Sequence, residues 1–534
     1  MDNISSQSVE ICLKILCKLE EESISMHLIR CNQALYEYDI QALFKSFYPE
    51  EEARVVADTS VVKDKSLFDA VPFAKITYEE TGMKIEFPED GEAGIYQLNW
   101  QKKAKVSNVE QNNDSHTNVD QMGMNQADAD RKKACKQFIY TCLVKRTGRT
   151  LPWGNLTGIR PTKIAMGMLD EGKNEEQIAA FMRETHMVSE EKITLGIEIA
   201  KREQALLKTL HYEAGYSLYI GIPFCPTTCL YCSFTSFPVS AWKERVTDYL
   251  TALEKEMNYT ADVYRNKVLD TVYIGGGTPS SLSAGELDRL LSKLTKTFDM
   301  SRVQEFTVEA GRADSITPEK LKVLYEYGVT RISVNPQSMK QETLDYIGRR
   351  HTVEQVKEAF LWARKAGFEN INMDIILGLP KETAADVANT MAAITDLGPD
   401  ALTVHSLAVK RASKLSQWIT ENGIEFLTNT EETMRIAEKG ARDMGMVPYY
   451  LYRQKNMSGN FENVGYAKEG KYGIYNILIM EEKQTIVALG AGSISKRVYS
   501  DGRIERCENV KEVAQYIERI DEMIERKRRL LESD

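Results

Sequence analysis

Three cysteines in the middle of the chain have a spacing that suits a metal cluster. Cys225, Cys229 and Cys232 form a C-x3-C-x2-C run directly after a short apolar segment with the pattern of a β-strand. Three thiolates on one loop can each bind one iron of a cubane cluster, which leaves the fourth iron open to a ligand. A zinc site would need a fourth cysteine or histidine nearby, whereas position 234 is phenylalanine. An iron–sulfur cluster is therefore favoured, with zinc or unligated thiols as the alternatives.

A run of glycines follows the second predicted strand. Gly275, Gly276 and Gly277 precede Thr278 and Pro279. Because glycine has no side chain, its backbone can approach a ligand closely and present N–H and C=O groups to it. Many glycine runs are ordinary turns, so this one becomes a candidate binding loop only through its position.

Polar side chains also stand at or just after the ends of the later predicted strands. They are Glu309, Gln337, Arg349 and Asp374. Asp374 lies in an apolar run, where a carboxylate is costly to bury unless it is paired. Each of the four could by itself form a structural salt bridge, but several at one end of a sheet favour a ligand. His405, at the end of the sixth strand, either faces a substrate or is satisfied inside the fold.

Short apolar strands that alternate with amphipathic helices position these residues. The predicted strands are 217–222, 271–274, 304–309, 331–334, 370–376 and 401–405, and the predicted helices between them are 241–257, 284–297, 318–327, 353–366 and 385–397. Strands that are apolar on both faces and alternate with helices are typical of a parallel sheet. We expect an α/β fold, a partial (β/α)6 TIM-type barrel.

The rest of the chain is expected to form smaller parts. Residues 1–102 predict an α+β domain, 103–131 a polar linker or long loop, and 132–210 a helical bridge, with the barrel at 211–440. Residues 441–534 predict a small α+β cap, in which 474–480 and 484–489 alternate like strands and 511–532 is helical.

Composition limits the possible partners. The 534 residues are 43% hydrophobic and carry a formal net charge of −10, with 68 basic against 78 acidic side chains. This excess of acidic groups provides no overall positive electrostatic field that would attract nucleic acid or an anionic membrane. Long apolar runs are absent, and the nine cysteines are too sparse for a disulfide scaffold. We expect a cytoplasmic protein with reduced thiols.

The cysteine spacing, with Tyr219 ahead of it and Tyr231 inside it, resembles the signature of radical S-adenosylmethionine enzymes. The resemblance implies a [4Fe–4S] cluster whose open iron binds the amino and carboxylate groups of S-adenosyl-L-methionine. In that superfamily the reduced cluster cleaves the cofactor to a 5′-deoxyadenosyl radical, which abstracts hydrogen. The barrel would then be of the radical SAM kind.

Within that superfamily the chain is similar to the oxygen-independent coproporphyrinogen III oxidases and their relatives, over roughly residues 216–497. The similarity implies that the cofactor-binding residues are Tyr219, Tyr231, Gly276, Gly277, Thr278, Glu309, Gln337, Arg349, Asp374 and Ala408. Residues 153–163, 449–457 and 459–466 look like one subgroup, which also has a long N-terminal extension.

The resemblance implies that two propionate side chains of coproporphyrinogen III are decarboxylated to vinyl groups, in porphyrin and haem biosynthesis. The partners would be this tetrapyrrole and an electron donor such as a flavodoxin or ferredoxin. The propionates need cationic groups, for which the candidates are Lys410, Arg411, Arg453 and Lys455. Surface charge is an equally good explanation of each.

Two departures keep other functions open. The founding oxidases have a cysteine two residues after the third cluster ligand, where this chain has Phe234. Haem chaperones of the same family share the phenylalanine and carry a His-Asn-x-x-Tyr-Trp motif. Here the comparable stretch runs from Glu462 to Ala467 and lacks both the histidine and the tryptophan. A haem chaperone and a cluster protein without turnover are the alternatives.

Overall fold

The computed structural model describes residues 26–49, 51–58, 70–99, 119–158, 160–212, 214–234, 236–409, 413–422, 429–454 and 461–532. The chain forms two compact units, Met1–Thr157 with Ala180–Lys192, and Gly158–Ala179 with Ile193–Asp534. The residues expected to form a separate bridge, 132–210, are therefore divided between the two units. Among the described residues, no helix is both long and apolar enough to cross a membrane.

The N-terminal unit has the expected α+β character. Its strands are β1 (Met26–Cys31), β2 (Glu52–Ala57), β3 (Ala74–Tyr78), β4 (Gly82–Glu86) and β5 (Ile95–Asn99), in the order β2-β1-β3-β4-β5. The first five described helices of the chain are α1 (Glu37–Phe47), α2 (Val119–Thr147), α3 (Thr162–Asp170), α4 (Glu175–His186) and α5 (Glu190–Leu207). Helices α1 and α2 contribute to one apolar core with the sheet.

Part of the predicted linker is helical instead. Helix α2 begins at Val119, so the linker prediction is wrong for 119–131, while 103–118 lie outside the described residues. Two polar residues within the helix have long-range partners: the Tyr36 hydroxyl donates to Asp128 Oδ1 at 2.7 Å, and Lys132 pairs with Asp39 at 2.8 Å. Further along, Ile139 is fully buried in the core of this unit. These long-range contacts stabilise a helix in a segment whose polar composition had predicted a loop.

The second unit is built on a sheet that contains all six predicted barrel strands. They are β6 (Gly215–Ile222), β9 (Val268–Gly276), β10 (Glu305–Gly311), β11 (Arg331–Val334), β12 (Ile371–Leu377) and β13 (Ala401–Ser406). They are adjacent and parallel in chain order. Two short strands, β7 (Phe224–Cys225) and β8 (Phe237–Pro238), pair with each other on either side of the cysteine loop. The predicted α/β barrel fold is confirmed.

Helices follow the strands with clear start signals. The described helices of this part are α6 (Val239–Trp242), α7 (Val246–Val263), α8 (Ala284–Thr297), α9 (Pro318–Glu326), α10 (Gln341–Tyr346), α11 (Val353–Ala366), α12 (Ala384–Leu397), α13 (Lys414–Asn422) and α14 (Glu431–Asp443). Ser283, Thr352 and Thr383 each cap a helix through a reciprocal capping box. Such caps satisfy free N–H groups at a helix start, so the loop before each helix is well defined.

The C-terminal segment completes both edges of the same sheet. Its strands are β14 (Val447–Tyr452), β15 (Asn463–Ala467), β16 (Ile486–Leu489), β17 (Ile494–Val498) and β18 (Ile504–Glu508), and its helices are α15 (Ile474–Glu481), α16 (Val513–Glu518) and α17 (Ile520–Leu531). Strand β15 pairs antiparallel with β13, and β16 pairs parallel with β6. The segment therefore extends the barrel sheet and belongs to the same compact unit as the barrel.

One strand prediction in this segment is wrong. The run 474–480 forms helix α15. Its residues are apolar with little alternation, and periodicity alone does not separate a buried strand from a buried helix in so short a run. The Ile474 N–H donates to the buried Glu305 carboxylate, which satisfies a free donor at the helix start. Glu482 adopts a positive φ of 51° and ends the helix.

Candidate cluster and cofactor site

The parallel strands deliver the candidate residues to one end of the barrel. Tyr219 lies in β6, Glu309 in β10 and Asp374 in β12, while Gln337 and Arg349 follow β11. In parallel barrels the loops at the carboxyl ends of the strands form the ligand-binding face. The residues that sequence similarity assigned to one cofactor therefore converge on that face.

The cysteine loop is attached to the segment after β11. The Leu230 N–H donates to Ile347 O at 2.9 Å, and the Thr227 hydroxyl donates to Gly348 O at 3.2 Å. Within the loop, Cys232 N–H donates to Cys229 O at 3.2 Å. Backbone bonds of this kind hold the loop in place without using the thiols.

The three thiols differ in their exposure. Cys229 is buried, while Cys225 and Cys232 are half-buried. Burial raises the pKa of Cys225 and of Cys232, and the neighbouring thiols add to each rise. Iron favours the thiolate form and would reverse this rise.

The donor set fits a cluster better than a single ion. Within the described parts of the chain, no three His, Cys, Asp or Glu side chains converge closely enough to hold one metal ion. In a cubane each cysteine binds a different iron, so the sulfurs do not need to meet at one point. Three cysteines on one loop are the donor set of such a cluster, whereas a structural zinc site takes four protein ligands.

The glycine loop fits tightly against the cysteine loop. A Cβ placed on Gly277 would lie 2.6 Å from Phe224 O and 3.0 Å from Cys225 Sγ, and Gly276 has a φ of +110°. Both positions therefore require glycine. Thr278 is buried, and its Oγ1 lies 3.3 Å from Cys225 Sγ.

Glu309 lies among tyrosines inside the barrel. The Tyr273 hydroxyl donates to Glu309 Oε1 at 2.5 Å. Burial raises the pKa of Glu309 to about 7, although the Tyr273 hydrogen bond opposes this rise. The Tyr273 ring stacks with Tyr475 at 4.5 Å and with Tyr219 at 6.2 Å between centroids. The sequence analysis did not identify Tyr273 or Tyr475. Tyr273 could have been identified, because it lies two residues before Gly275 and therefore on the same face of the strand.

Asp374 has different neighbours. Asn372 Nδ2 donates to its Oδ1 at 2.7 Å, and His405 Nε2 lies 3.8 Å from its Oδ2. Burial alone would raise the pKa of Asp374, but His405 and the hydrogen bonds from Asn372 and Thr403 together lower it. The other His405 nitrogen lies 3.5 Å from the Tyr452 hydroxyl. His405 is thus partnered inside the barrel.

Gln337 and Arg349 both carry unmet hydrogen-bonding groups. Gln337 has a left-handed φ of 67°, and its backbone bonds to Asp374 O and Ile376 N at 2.9 Å each. Arg349 donates to Asn335 O at 2.6 Å and to the Tyr231 hydroxyl at 3.1 Å. Gln337 Oε1 and Arg349 Nε are enclosed without a partner among the described residues. Buried polar atoms of this kind are expected to have a ligand or water partner.

The remaining candidates are less informative. Ala408 lies two residues beyond β13 and is half-buried, and its contact with the cofactor stays a prediction. Arg453 is buried rather than on the surface, and burial lowers its pKa to about 10 although Glu462 opposes this. Lys410, Arg411 and Lys455 lie outside the described residues. A further buried cation that sequence reasoning missed, Arg312, lies beside Cys229.

Comparisons with known proteins agree with this geometry. Residues 219–394 match the model of the radical SAM superfamily. The chain is 41% identical over 417 residues to the oxygen-independent coproporphyrinogen-III oxidase-like protein HemZ of Bacillus subtilis, covering 76% of this chain and 83% of that protein. It is 38% identical over 195 residues to the haem chaperone HemW of Bacillus subtilis, covering 36% of this chain and 51% of that protein.

Among solved structures, coproporphyrinogen III oxidase (HemN) from Escherichia coli matches with a TM-score of 0.47 and 22% identity, over 60% of this chain and 72% of that chain. The cofactors of the superfamily, a [4Fe–4S] cluster and S-adenosylmethionine, are those of this chain. By its extent and identity, the similarity to HemZ shows that the chain belongs to the radical SAM superfamily and, within it, to the family of the coproporphyrinogen-III oxidase-like protein HemZ.

Proposed function

We propose that the chain is a radical SAM oxidoreductase that converts coproporphyrinogen III to protoporphyrinogen IX without oxygen, by oxidative decarboxylation of two propionate groups. Its likeness to HemZ over most of both chains supports the choice of substrate. The observation that supports the enzymatic assignment is that candidate cofactor residues, such as Thr278 and Arg349, contact the cysteine loop. A protein that no longer turned over the cofactor would have no physical need for all of them.

In this proposal the cysteine side of the mouth holds the cluster. Cys225, Cys229 and Cys232 would each bind one iron, and the missing Cβ of Gly277 leaves room beside Cys225. When bound, the cluster and S-adenosylmethionine together supply the one-electron chemistry that removes a hydrogen atom from the substrate. Arg349, whose Nε has no partner among the described residues, would bind a carboxylate of the cofactor.

Residues on and after the later strands of the barrel would bind the nucleoside. The ionised carboxylates of Glu309 and Asp374 accept hydrogen bonds from hydroxyl groups, and Gln337 offers an enclosed oxygen as a further acceptor. The rings of Tyr219, Tyr273 and Tyr475 stack on one another, and Tyr273 hydrogen-bonds Glu309, so these rings would form an apolar wall beside the nucleoside. Low local polarity strengthens each of these bonds.

The residues at the start of β15 give less support to the haem chaperone alternative. Glu462 and Asn463 are almost fully buried. Asn463 Oδ1 accepts the Ser406 N–H at 2.8 Å, and Glu462 O accepts the Ser406 hydroxyl at 2.8 Å. In this chain the stretch that corresponds to the chaperone motif therefore forms hydrogen bonds within the sheet. It has no histidine that could bind haem iron.

Anaerobic incubation of reduced protein with coproporphyrinogen III and S-adenosylmethionine tests the proposal. We expect 5′-deoxyadenosine, carbon dioxide and protoporphyrinogen IX, and none of them from the matched Cys225→Ala variant. Cofactor cleavage without a porphyrinogen product would support the radical chemistry but exclude coproporphyrinogen III as the substrate. Tight haem binding in a titration, with no decarboxylation, would favour the chaperone.

A further inference from the structure

A buried arginine lies directly against the cysteine loop. Arg312 follows β10 and is 3% exposed. Its Nη1 donates to Thr227 Oγ1 at 2.7 Å and to Thr227 O at 3.0 Å, and it lies 3.8 Å from Cys229 Sγ. Because Nη1 carries two hydrogens, the hydrogen bond to sulfur, the longest of the three contacts, shares a hydrogen with a Thr227 oxygen. The guanidinium is therefore a positive charge and a donor beside one of the three expected cluster ligands.

The orientation of this guanidinium is set by its own turn. Arg312 Nε and Nη2 donate to the two carboxylate oxygens of Asp314 at 3.0 and 2.6 Å. The Arg312 carbonyl accepts both the N–H and the hydroxyl of Ser315, at 3.0 and 2.8 Å. A bidentate arginine–carboxylate pair has a fixed geometry, so only Nη1 is left to face the loop.

Asp314 only partly offsets the charge of Arg312 at the thiol. It lies on the far side of the guanidinium from Cys229, and the fully buried His351 lies 3.9 Å from it. Hydrogen bonds to cluster sulfurs and charges close to them set the reduction potential of iron–sulfur clusters. A cation in a water-poor site stabilises the form that has gained an electron.

We propose that Arg312 tunes the cluster: its N–H donation to the Cys229 sulfur and its buried charge raise the reduction potential, making the cluster easier to reduce. Arg312 is a positioning residue in this role, because it acts through Cys229. The inference rests on the cluster assignment in the proposed function. The redox step is the addition of one electron from a one-electron reductant, which takes the cluster from its 2+ to its 1+ state with no bond made or broken.

The test is a dithionite titration of the reconstituted full-length protein without S-adenosylmethionine, followed by visible absorbance and electron paramagnetic resonance. In Arg312→Gln the potential should fall, by about a tenfold change in the reduction equilibrium, or about 59 mV for one electron. Arg312→Lys keeps the charge and should recover part of the shift. Asp314→Asn removes the compensating charge and should move the potential in the opposite direction.

Two control variants separate tuning from loop attachment. Thr227→Ala removes one anchor of the loop but no charge, so its potential should stay close to wild type. Arg289, whose guanidinium contacts Glu254 and Thr251 on outer helices, provides the remote control Arg289→Gln. If Thr227→Ala lowers the potential as far as Arg312→Gln, the effect comes from the loop and the proposal is wrong.

The outcomes also separate this inference from the proposed function. Wild-type protein that holds no iron would contradict the cluster assignment itself. Wild-type protein with a full cluster, and an Arg312→Gln variant with full iron content and the wild-type potential, would contradict only the role of Arg312. If Arg312→Gln loses its cluster, the sign of the Asp314→Asn shift decides, and a fall or no change there overturns the proposal.

Discussion

The two sides of the barrel mouth are built differently. The thiol side consists of a loop held by backbone hydrogen bonds, with the buried cations Arg312 and Arg349 next to it. The opposite side consists of strand residues, with the carboxylates Glu309 and Asp374 held by side-chain hydrogen bonds. Because separate elements carry the two sides, a substitution of a strand carboxylate should weaken cofactor binding without removing the cluster.

The largest effect should come from the thiol side. Changing Cys225, Cys229 or Cys232 to alanine should remove the cluster, because each thiolate holds one iron. Anaerobically purified wild-type protein should be brown with about four irons and four sulfides, as measured by iron and sulfide assays. Cys507→Ala is the matched control, since Cys507 is a buried cysteine on β18. Full iron content in all three loop variants would contradict the assignment.

A smaller effect is expected from the carboxylate side. Glu309→Gln and Asp374→Asn should each weaken S-adenosylmethionine binding about ten- to a hundredfold, because a hydrogen bond to a charged group contributes roughly 1.5 to 3 kcal/mol. The absorbance of the cluster should stay unchanged. Equilibrium binding measured by calorimetry gives the constant. The control is Glu354→Gln on the outer helix α11, where Glu354 pairs with Lys357. Loss of the cluster in the two carboxylate variants would contradict the distinction between the two sides.

The smallest effect is a shift in pH dependence. Glu309 has a raised pKa of about 7, so the cofactor-free carboxyl group is largely protonated below that pH. Since the ionised form accepts hydroxyl hydrogen bonds, cofactor affinity should fall as the pH decreases through 7. Tyr273→Phe removes a bond that favours ionisation and should move the midpoint to higher pH. Binding measured across that pH range checks this, and an unchanged profile in Glu309→Gln would exclude Glu309 as its source.

The barrel and the C-terminal segment differed in how well their sequences predicted them. Helix α8 has the predicted limits because Ser283 and Glu286 form a capping box that is readable in the sequence. Helix α15 was expected to be a strand because its short apolar run was interpreted as alternating, and no capping box at its start indicated a helix. The group that caps it is Glu305, distant in the sequence. Local signals thus predicted the elements whose ends are set locally.

The sequence by itself determined the alternation of strands and helices, the cysteine spacing and the glycine loop. These depend on residue type and short-range spacing. Only the tertiary structure decided that Tyr273 would hydrogen-bond Glu309, that Arg453 would be buried and that Arg312 would reach Cys229. Each of these depends on contacts between residues far apart in the chain. Burial and hydrogen-bond partners determine the ionisation of a side chain and the groups it contacts, and neither can be read from its neighbours in the sequence.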